Sequence, residues 1–410
     1  MTLQSFVAKL PHQVHLPDDT LTLALDGYAF ISTRCAELGT DVFETRVLLQ
    51  RTICMLGAEA AQLFYSDKMQ REGAAPNRVQ ATLFGRGGVQ GLDGREHHER
   101  KHLLLSLLGP LEVARLVDKA LAEWRAYEWP ARVALLDVAQ DVLAKAACAW
   151  AGLTLDDDRR IRDIAAMIEG SGGAGPRHWR GRVGRARAEW WLMRQLQAVR
   201  SRKLEAHGAL RVLADSELDA RTAAVELLNL LRPTVAVARY IAFAALALHE
   251  YPHSAELVAS DALVEPFVHE VRRFYPFFPA VMGRVRDAFD WHGVHFAEGE
   301  RVMLDLYGTN HDARLWPEPE HFRPERFVGW RGDPYTLIPQ GGGDTQSGHR
   351  CAGESLTIEL IKSAVKFLTR EVTYDVPAQD LSVSLARIPA QPADRFVVEN
   401  VARGGKAPAR

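Results

Sequence analysis

Cys351 is placed to present a thiolate to a metal. It closes the run Gly341-Gly342-Gly343-Asp344-Thr345-Gln346-Ser347-Gly348-His349-Arg350-Cys351-Ala352-Gly353-Glu354, just before an amphipathic segment. Glycines let a backbone lie against a flat cofactor without Cβ clashes. The N–H groups that open a helix stabilise a negative sulfur. Leu356, Ile358, Leu360, Ile361, Val365 and Leu368 keep a helical rhythm after the loop. The plainer alternative is a buried thiol in a turn.

The second chemical feature is Leu231-Arg232-Pro233-Thr234, inside a long apolar stretch. An unpaired buried charge is expensive, so Arg232 needs an anion. That anion is either a protein carboxylate or the carboxylate of a bound ligand. A guanidinium fork suits bidentate pairing with either one. Pro233 removes a backbone N–H and bends the helix, opening it where a small ligand must fit.

Three more segments fix the context. Glu270-Val271-Arg272-Arg273 lies on an apolar helix that ends at Pro276, and Pro324-Glu325-Arg326-Phe327 follows it. His349-Arg350-Cys351 comes last. In this order and near this spacing they resemble the cytochrome P450 family, over nearly the whole chain. The resemblance implies a mainly α fold with a minor β region, as one domain over 1–410 with a frayed tail from about 403. It implies haem b, with Cys351 as the axial thiolate on the iron. A thiolate there pushes electron density toward O–O cleavage. Glu270, Arg273 and Arg326 are then expected to form a buried structural cluster.

The departures from the common family pattern point to one branch. The usual Phe seven residues before the cysteine is Asp344, and the usual Gly four before it is Ser347. Ile338-Pro339-Gln340-Gly341-Gly342-Gly343-Asp344 is similar to the hydrogen-peroxide-using fatty-acid hydroxylases. So are Thr82-Leu83-Phe84-Gly85, Val89-Gln90-Gly91-Leu92-Asp93-Gly94 and Phe274-Tyr275-Pro276-Phe277-Phe278-Pro279-Ala280. Oxygen-activating members carry an acid and an alcohol where this chain has Arg232 and Pro233. The branch implies that Arg232 holds the carboxylate of a long-chain fatty acid. That carboxylate supplies the missing acid–base group toward hydrogen peroxide. Hydroxylation at Cα or Cβ follows, with no NAD(P)H and no obligatory redox partner.

Gln90 refines the expectation. Relatives that decarboxylate fatty acids to terminal alkenes resemble one another in having His at this place; those that hydroxylate have Gln. Histidine can donate a proton near the iron and glutamine cannot. The resemblance also assigns His97, Lys101, Arg284 and His349 to the haem propionates, with Arg286 as an alternative to Arg284. Phe84, Phe278 and Pro279 are expected in the substrate pocket. Gly172, Gly173, Ala174 and Gly175 are expected in a loop that approaches the distal side. Chain length and the choice between Cα and Cβ stay open. An oxygen-dependent monooxygenase would need the acid–alcohol pair, a decarboxylase is opposed by Gln90, and a haem-based sensor would be expected to carry an output domain.

Composition and patterning set the frame that must position these groups. The chain has 410 residues, 47% hydrophobic, and a formal net charge of -2, so nothing calls for nucleic acid or an anionic membrane. Cys35, Cys54, Cys148 and Cys351 are too scattered for a disulfide framework or a zinc pattern, which suits a reducing cytoplasm. Met1-Thr2-Leu3-Gln4-Ser5 shows no signal peptide or membrane anchor. His97, His98, Glu99 and His102 do not form His-Glu-x-x-His, and no Gly-Lys-Ser/Thr follows the Gly341–Gly343 run. Residues 28–38 read as a helix, 42–56 as a strand pair, and Val113, Leu116, Val117, Ala120, Leu121 and Trp124 as a helical stripe. Residues 171–187 read as a Gly- and Arg-rich loop before a Trp-rich helix at 190–200. Residues 222–250 read as one apolar helix, with Glu226, Asn229, Arg232, Pro233 and Arg239 arguing against a membrane span. Strand-like text returns at 294–296 and 301–304.

Overall fold

The apolar stretch expected over 222–250 forms two successive helices, Ala220–Ala236 (the central helix) and Ala238–Glu250, joined at Val237. The computed structural model describes residues 18–155, 157–173 and 175–404. Met1–Ser5, Ala174 and the tail beyond Gly404 lie outside them. Asp219 caps the central helix: its carboxylate accepts the N–H groups of Arg221 at 2.9 Å and Thr222 at 3.1 Å. Pro233 cannot donate to the Asn229 carbonyl, four residues back. The most apolar window of this double helix is 94% buried inside the protein, so it is a core element.

Helices wrap this core. Leu135–Ala151 is buried along most of its length, and the helix Pro110–Ala126 buries Val113, Leu116, Ala120 and Trp124, four of the six stripe positions. The cysteine helix, Glu354–Arg370, buries Leu356, Leu360, Ile361, Val365 and Leu368. The minor β region holds a five-stranded sheet. Its strands are β1 (Val42–Val47), β2 (Gln50–Met55), β3 (Met69–Gln70), β5 (Ala280–Val285) and β8 (Arg301–Asp305), in the order β1-β2-β8-β5-β3. β2 and β8 pair in parallel and the other pairs are antiparallel. A second sheet is formed by β4 (Arg132–Ala134), β10 (Val397–Arg403) and β9 (Val372–Asp375). β6 (Phe289–Trp291) and β7 (Val294–Phe296) make a small hairpin.

Two expectations are corrected. The segment read as a loop over 171–187 is helical from Pro176, in a helix Pro176–Arg200. Pro176 occupies the first helical turn, where its missing N–H costs nothing. Gly181 and Gly184 are contact positions rather than loop residues. A Cβ on Gly181 would lie 2.8 Å from the Ala166 carbonyl oxygen, and one on Gly184 2.8 Å from that of Asp163, both on the helix Arg159–Glu169. Arg403, where a frayed tail was expected to begin, still pairs with Val372 across β10 and β9.

The Glu270 cluster forms as the motif spacing implied. On the helix Val264–Phe274, Glu270 accepts Arg273 Nε and Nη2 at 2.8 Å each. Arg326 Nε stands 3.2 Å from Glu270, and the Arg323 N–H donates to it at 2.8 Å. Glu270 and Arg273 are both fully buried.

Two histidines in this region set a pH response. His269 packs on Phe327 and Trp330, and His311 on Tyr307. Burial pulls both down from 6.5 to about 4. Between those values the unfolded chain binds more protons, so these two groups stabilise fully above 6.5 and lose that contribution as pH falls toward 4. Asp305, raised to about 7 by burial, works in the opposite direction over the same range. The combined His269→Gln/His311→Gln variant should therefore show a shallower loss of melting temperature on acidification than the native protein.

Candidate active site

The cysteine loop is held by its own polar groups. Gly341 N donates to the Ile338 carbonyl at 3.0 Å, Gly343 N to that of Pro334 at 2.9 Å, and Gly348 N to that of Asp344 at 3.1 Å. Gly341 and Gly343 have φ of 92° and 80°, which only glycine adopts freely. The two departures from the common P450 loop are partners of each other. Asp344 Oδ1 accepts the backbone N–H of Ser347 at 2.6 Å and its hydroxyl at 2.7 Å. Those bonds hold the Asp344 carboxyl below its ordinary value. One residue of this pair explains the other.

Cys351 sits half-buried at the end of that loop, ahead of the cysteine helix. Burial raises its thiol, and Glu354 adds to this; the Gly353 N–H and the charges of Arg272 and Lys101 oppose it. Gln340 was not singled out from sequence. Its Nε2 lies 3.7 Å from the Cys351 sulfur and donates to Thr357 Oγ1 at 3.1 Å. Glu354 is bound by Arg350 at 2.6 Å and by Arg272.

Three predicted residues, His97, Lys101 and His349, converge at the loop that carries Cys351. His97 and His349 stack at 4.0 Å between ring centroids. His349 Nε2 lies 3.3 Å from Asp93 Oδ1, whose other oxygen accepts the N–H groups of Arg71 and Glu72 at 2.7 Å. Lys101 Nζ donates to the Arg350 carbonyl at 2.9 Å and to that of Gly348. Burial, with the charges of His349 and Lys101, pulls His97 down to about 3, so at neutral pH it offers an N–H and no charge. Burial brings Lys101 to about 8. Arg71 is a cation that the sequence reading missed. Its guanidinium lies over the Phe64 ring, 4.4 Å from its centroid, and donates to the Met282 carbonyl at 2.6 Å. No spacing signal marks it; only the fold brings it to Asp93.

Arg284 does not join this group directly. It pairs with Gln70 across β3 and β5, and its guanidinium donates to the carbonyls of Gly73 at 2.8 Å and Gly299 at 2.7 Å. Arg286 donates to Asp67 instead. Pro279, half-buried ahead of β5, accepts the Leu306 N–H at 3.0 Å, and Phe278 packs edge-on against Phe277 at 5.0 Å.

On the central helix, Arg232 is 4% exposed. Its Nε has no hydrogen-bond partner, and no carboxylate pairs with it among the described residues. The protein salt bridge weighed from sequence is therefore not formed. Burial and then the like charge of Arg185 bring its pKa down to about 9, with the Cys351 sulfur acting the other way. It remains charged at neutral pH. Gln90 reaches the same helix. Asn229 Nδ2 donates to Gln90 Oε1 at 3.2 Å and to Glu226 at 3.2 Å. Glu226, fully buried, also accepts Arg100 Nη1 at 2.8 Å and Val89 N at 2.9 Å.

Gly88 makes that approach possible. A Cβ there would lie 2.7 Å from the Phe84 carbonyl oxygen and 2.8 Å from Asn229 Nδ2. Gly88→Ala is expected to destabilise by about 1–3 kcal/mol and to displace Gln90. Thermal unfolding with product analysis checks both effects.

Residues 255–372 match the cytochrome P450 family model. Cytochrome P450EX alpha (CYP152N1), solved with myristic acid, is 40% identical with a TM-score of 0.93, over 95% of this chain and 98% of that one. The chain belongs to the cytochrome P450 family. Cytochrome P450SP alpha (CYP152B1), solved in complex with (R)-ibuprophen, is 44% identical with a TM-score of 0.91, over 95% of this P450 and all of that chain. Ligand-free cytochrome P450 OleT is 35% identical with a TM-score of 0.92, over 96% and 99%. The first two are CYP152 proteins, and this P450 groups with all three as a haem-thiolate oxidoreductase. Among curated relatives, cytochrome P450 3A14 of Cavia porcellus is 28% identical over 142 residues, which span 33% of this chain and 27% of that protein.

The residues present fit the haem. The glycine cradle is closed to side chains: a Cβ on Gly342 would lie 2.6 Å from the Pro334 carbonyl oxygen. A sulfur near an amide donor and a backbone N–H suits an axial thiolate. Arg71, Lys101, His97 and His349 are the donors at hand for propionates, and Arg232 projects from the central helix.

Proposed function

We propose that this P450 hydroxylates long-chain fatty acids at Cα or Cβ with hydrogen peroxide, and that Arg232 holds the substrate carboxylate. The observation that carries this reading is a buried guanidinium on the central helix without a counter-ion among the described residues. A buried cation in that state is completed by an anionic ligand. Kinship with a chain solved with myristic acid supports a fatty acid as that ligand.

Arg232 binds both carboxylate oxygens through its planar fork and orients the neighbouring carbons. The bound carboxylate lies where other P450s keep a protein acid. It accepts a proton from one peroxide oxygen and returns it to the distal one. When bound on Cys351, the haem supplies O–O cleavage and oxygen transfer. Cys351 would hold the haem iron through its thiolate, His97, Lys101 and His349 would meet the propionates, and Arg284 would join them only by leaving the Gly73 and Gly299 carbonyls. Arg71 joins them: its backbone N–H holds Asp93, and its guanidinium charge acts on His349. Phe84, Phe278 and Pro279 line the apolar side. Pro233 leaves the helix without one backbone N–H beside Arg232. A redox partner has no role in this scheme, and the reducing cytoplasm is the setting.

Gln90 favours hydroxylation over decarboxylation. Its amide is engaged by Asn229 and carries no proton to give at ordinary pH. Gln90→His should shift products toward the alkene one carbon shorter; an unchanged product ratio counts against this role. The deciding experiment incubates haem-loaded protein with a long-chain fatty acid and hydrogen peroxide, without NAD(P)H or reductase. Mass spectrometry should find acid hydroxylated at Cα or Cβ. Alkene as the main product would make it a decarboxylase, and turnover only with oxygen and a redox partner would overturn the reading.

A further inference from the structure

A second set of arginines lies away from the cysteine loop. The Gln80–Phe84 stretch, the helix Pro176–Arg200 and the start of the central helix enclose a cavity of about 260 Å³. Arg86, Arg182, Arg185 and Arg221 line it, with Glu189 as the one carboxylate. Four positive charges less one negative leave a formal excess of three. Arg86, Arg182 and Arg221 are exposed, and no carboxylate pairs with any of them among the described residues.

Arg185 is different, because it is 3% exposed and held in place. Its Nε pairs with Glu189 at 2.6 Å and its Nη1 donates to the Leu83 carbonyl at 2.8 Å. Its Nη2 is buried with no hydrogen-bond partner. The backbone makes room for that atom. Gly85 has φ of 82°, and a Cβ on it would lie 2.1 Å from Arg185 Nη2. Arg182 lies over the Trp179 ring, 5.2 Å from its centroid, but a buried donor beside three cations without carboxylate partners among the described residues lacks an acceptor.

We propose that this cavity is an oxyanion site, which takes a carboxylate or phosphate group on Arg185 Nη2 with Arg182 and Arg221 at its mouth. Guanidinium groups at several angles suit an oxyanion with two or three acceptor oxygens. The volume takes a small anion or a headgroup and not a long acyl chain. The site also bears on Arg232. Arg185 Nη2 and Val225 meet at Gly85, and Val225 stands two turns before Arg232 on the central helix, roughly 10 Å along it, so Arg185 adds positive potential there and an anion on Arg185 cancels part of it. Filling the cavity therefore weakens carboxylate binding at Arg232. The coupling is reciprocal, so a fatty acid on Arg232 weakens the anion in turn.

The test titrates the holoenzyme with inorganic phosphate and, separately, with acetate by calorimetry, at an ionic strength fixed with chloride. One or both should bind saturably with a Kd of about 1 mM or tighter. Binding of phosphate alone assigns the site to phosphoryl groups, and binding of acetate to carboxylates. The combined Arg182→Gln/Arg221→Gln variant should weaken binding roughly tenfold or more. Its fatty-acid turnover without added anion should stay within a few-fold of the native enzyme, since both positions are exposed and neither is assigned to the substrate or the haem. Glu189→Gln should tighten binding by removing the competing carboxylate. Saturating anion should raise KM for the fatty acid and leave kcat unchanged. No saturable heat from either anion, or a double variant that binds like the native protein, would overturn the site. A KM that does not move with the cavity filled would overturn its link to Arg232. Calorimetry reads the anion alone, so its failure is distinct from any failure of the fatty-acid reading.

Discussion

Arg232→Ala is expected to abolish peroxide-driven fatty-acid turnover without lowering the melting temperature. Two losses combine in kcat/KM. The variant loses a charge-assisted pair with the substrate, and with it the positioned carboxylate that moves the proton. Positioned acid–base groups contribute roughly two to four orders of magnitude, so a fall of about a thousandfold or more is expected. Stability should respond in the other direction. Arg232 is 4% exposed, has no counter-ion among the described residues and carries an unpartnered Nε. Removing a buried unpaired charge relieves a cost, although the smaller side chain leaves a cavity. Arg232→Met keeps most of the volume and should melt at or above the native temperature. Turnover of Arg232→Ala near the native rate would sink the substrate role. A collapse in stability would mean that Arg232 has a structural partner after all.

Arg273→Ala should give the opposite profile, a large loss of stability with no direct effect on chemistry. Arg273 and Glu270 are fully buried, and Arg273 also donates to the carbonyls of Asn310 at 3.0 Å and Pro319 at 2.9 Å. Without it Glu270 keeps only Arg326 and one backbone N–H. Stranding a buried carboxylate in this way costs about 3–5 kcal/mol. Denaturant unfolding should show a clear drop in midpoint, and any protein that folds should keep its KM. A change below about 1 kcal/mol would mean that water or Arg326 takes over the charge.

The pattern of residues was enough to name the family, the cysteine and the Glu270 pair, because those signals are local. Glu270 and Arg273 are three apart on one helix and meet by geometry alone. Gly-rich loops, helix stripes and β-branched pairs likewise follow from short-range rules, and most elements came out within a few residues. The failure at 176–187 has a clear cause. Glycines in Gly181 and Gly184 signal either a loop or a close helix contact, and only the presence of Arg159–Glu169 beside them decides which.

The site divides along the same line. Cys351 stood out in its Gly-rich loop, His97, Lys101 and His349 were assigned by resemblance, and the fold brings these side chains to one loop. Arg71, Gln340, Asn229 and Arg185 carried no spacing signal. Gln340 meets Cys351 and Thr357 across the loop, and the others act through partners farther away: the Arg71 backbone N–H through Asp93, Asn229 through Gln90, and Arg185 through Leu83. The sequence by itself determined the chemistry on offer: one thiolate, one arginine in an apolar helix and the loop that carries the sulfur. Only the tertiary structure decided that Arg232 has no protein counter-ion, that Asp344 and Ser347 complete one another, and that Arg185 stands open to a cavity. Whether a buried charge is paired depends on which distant side chain packs beside it, and side-chain packing across the fold is not written in local spacing.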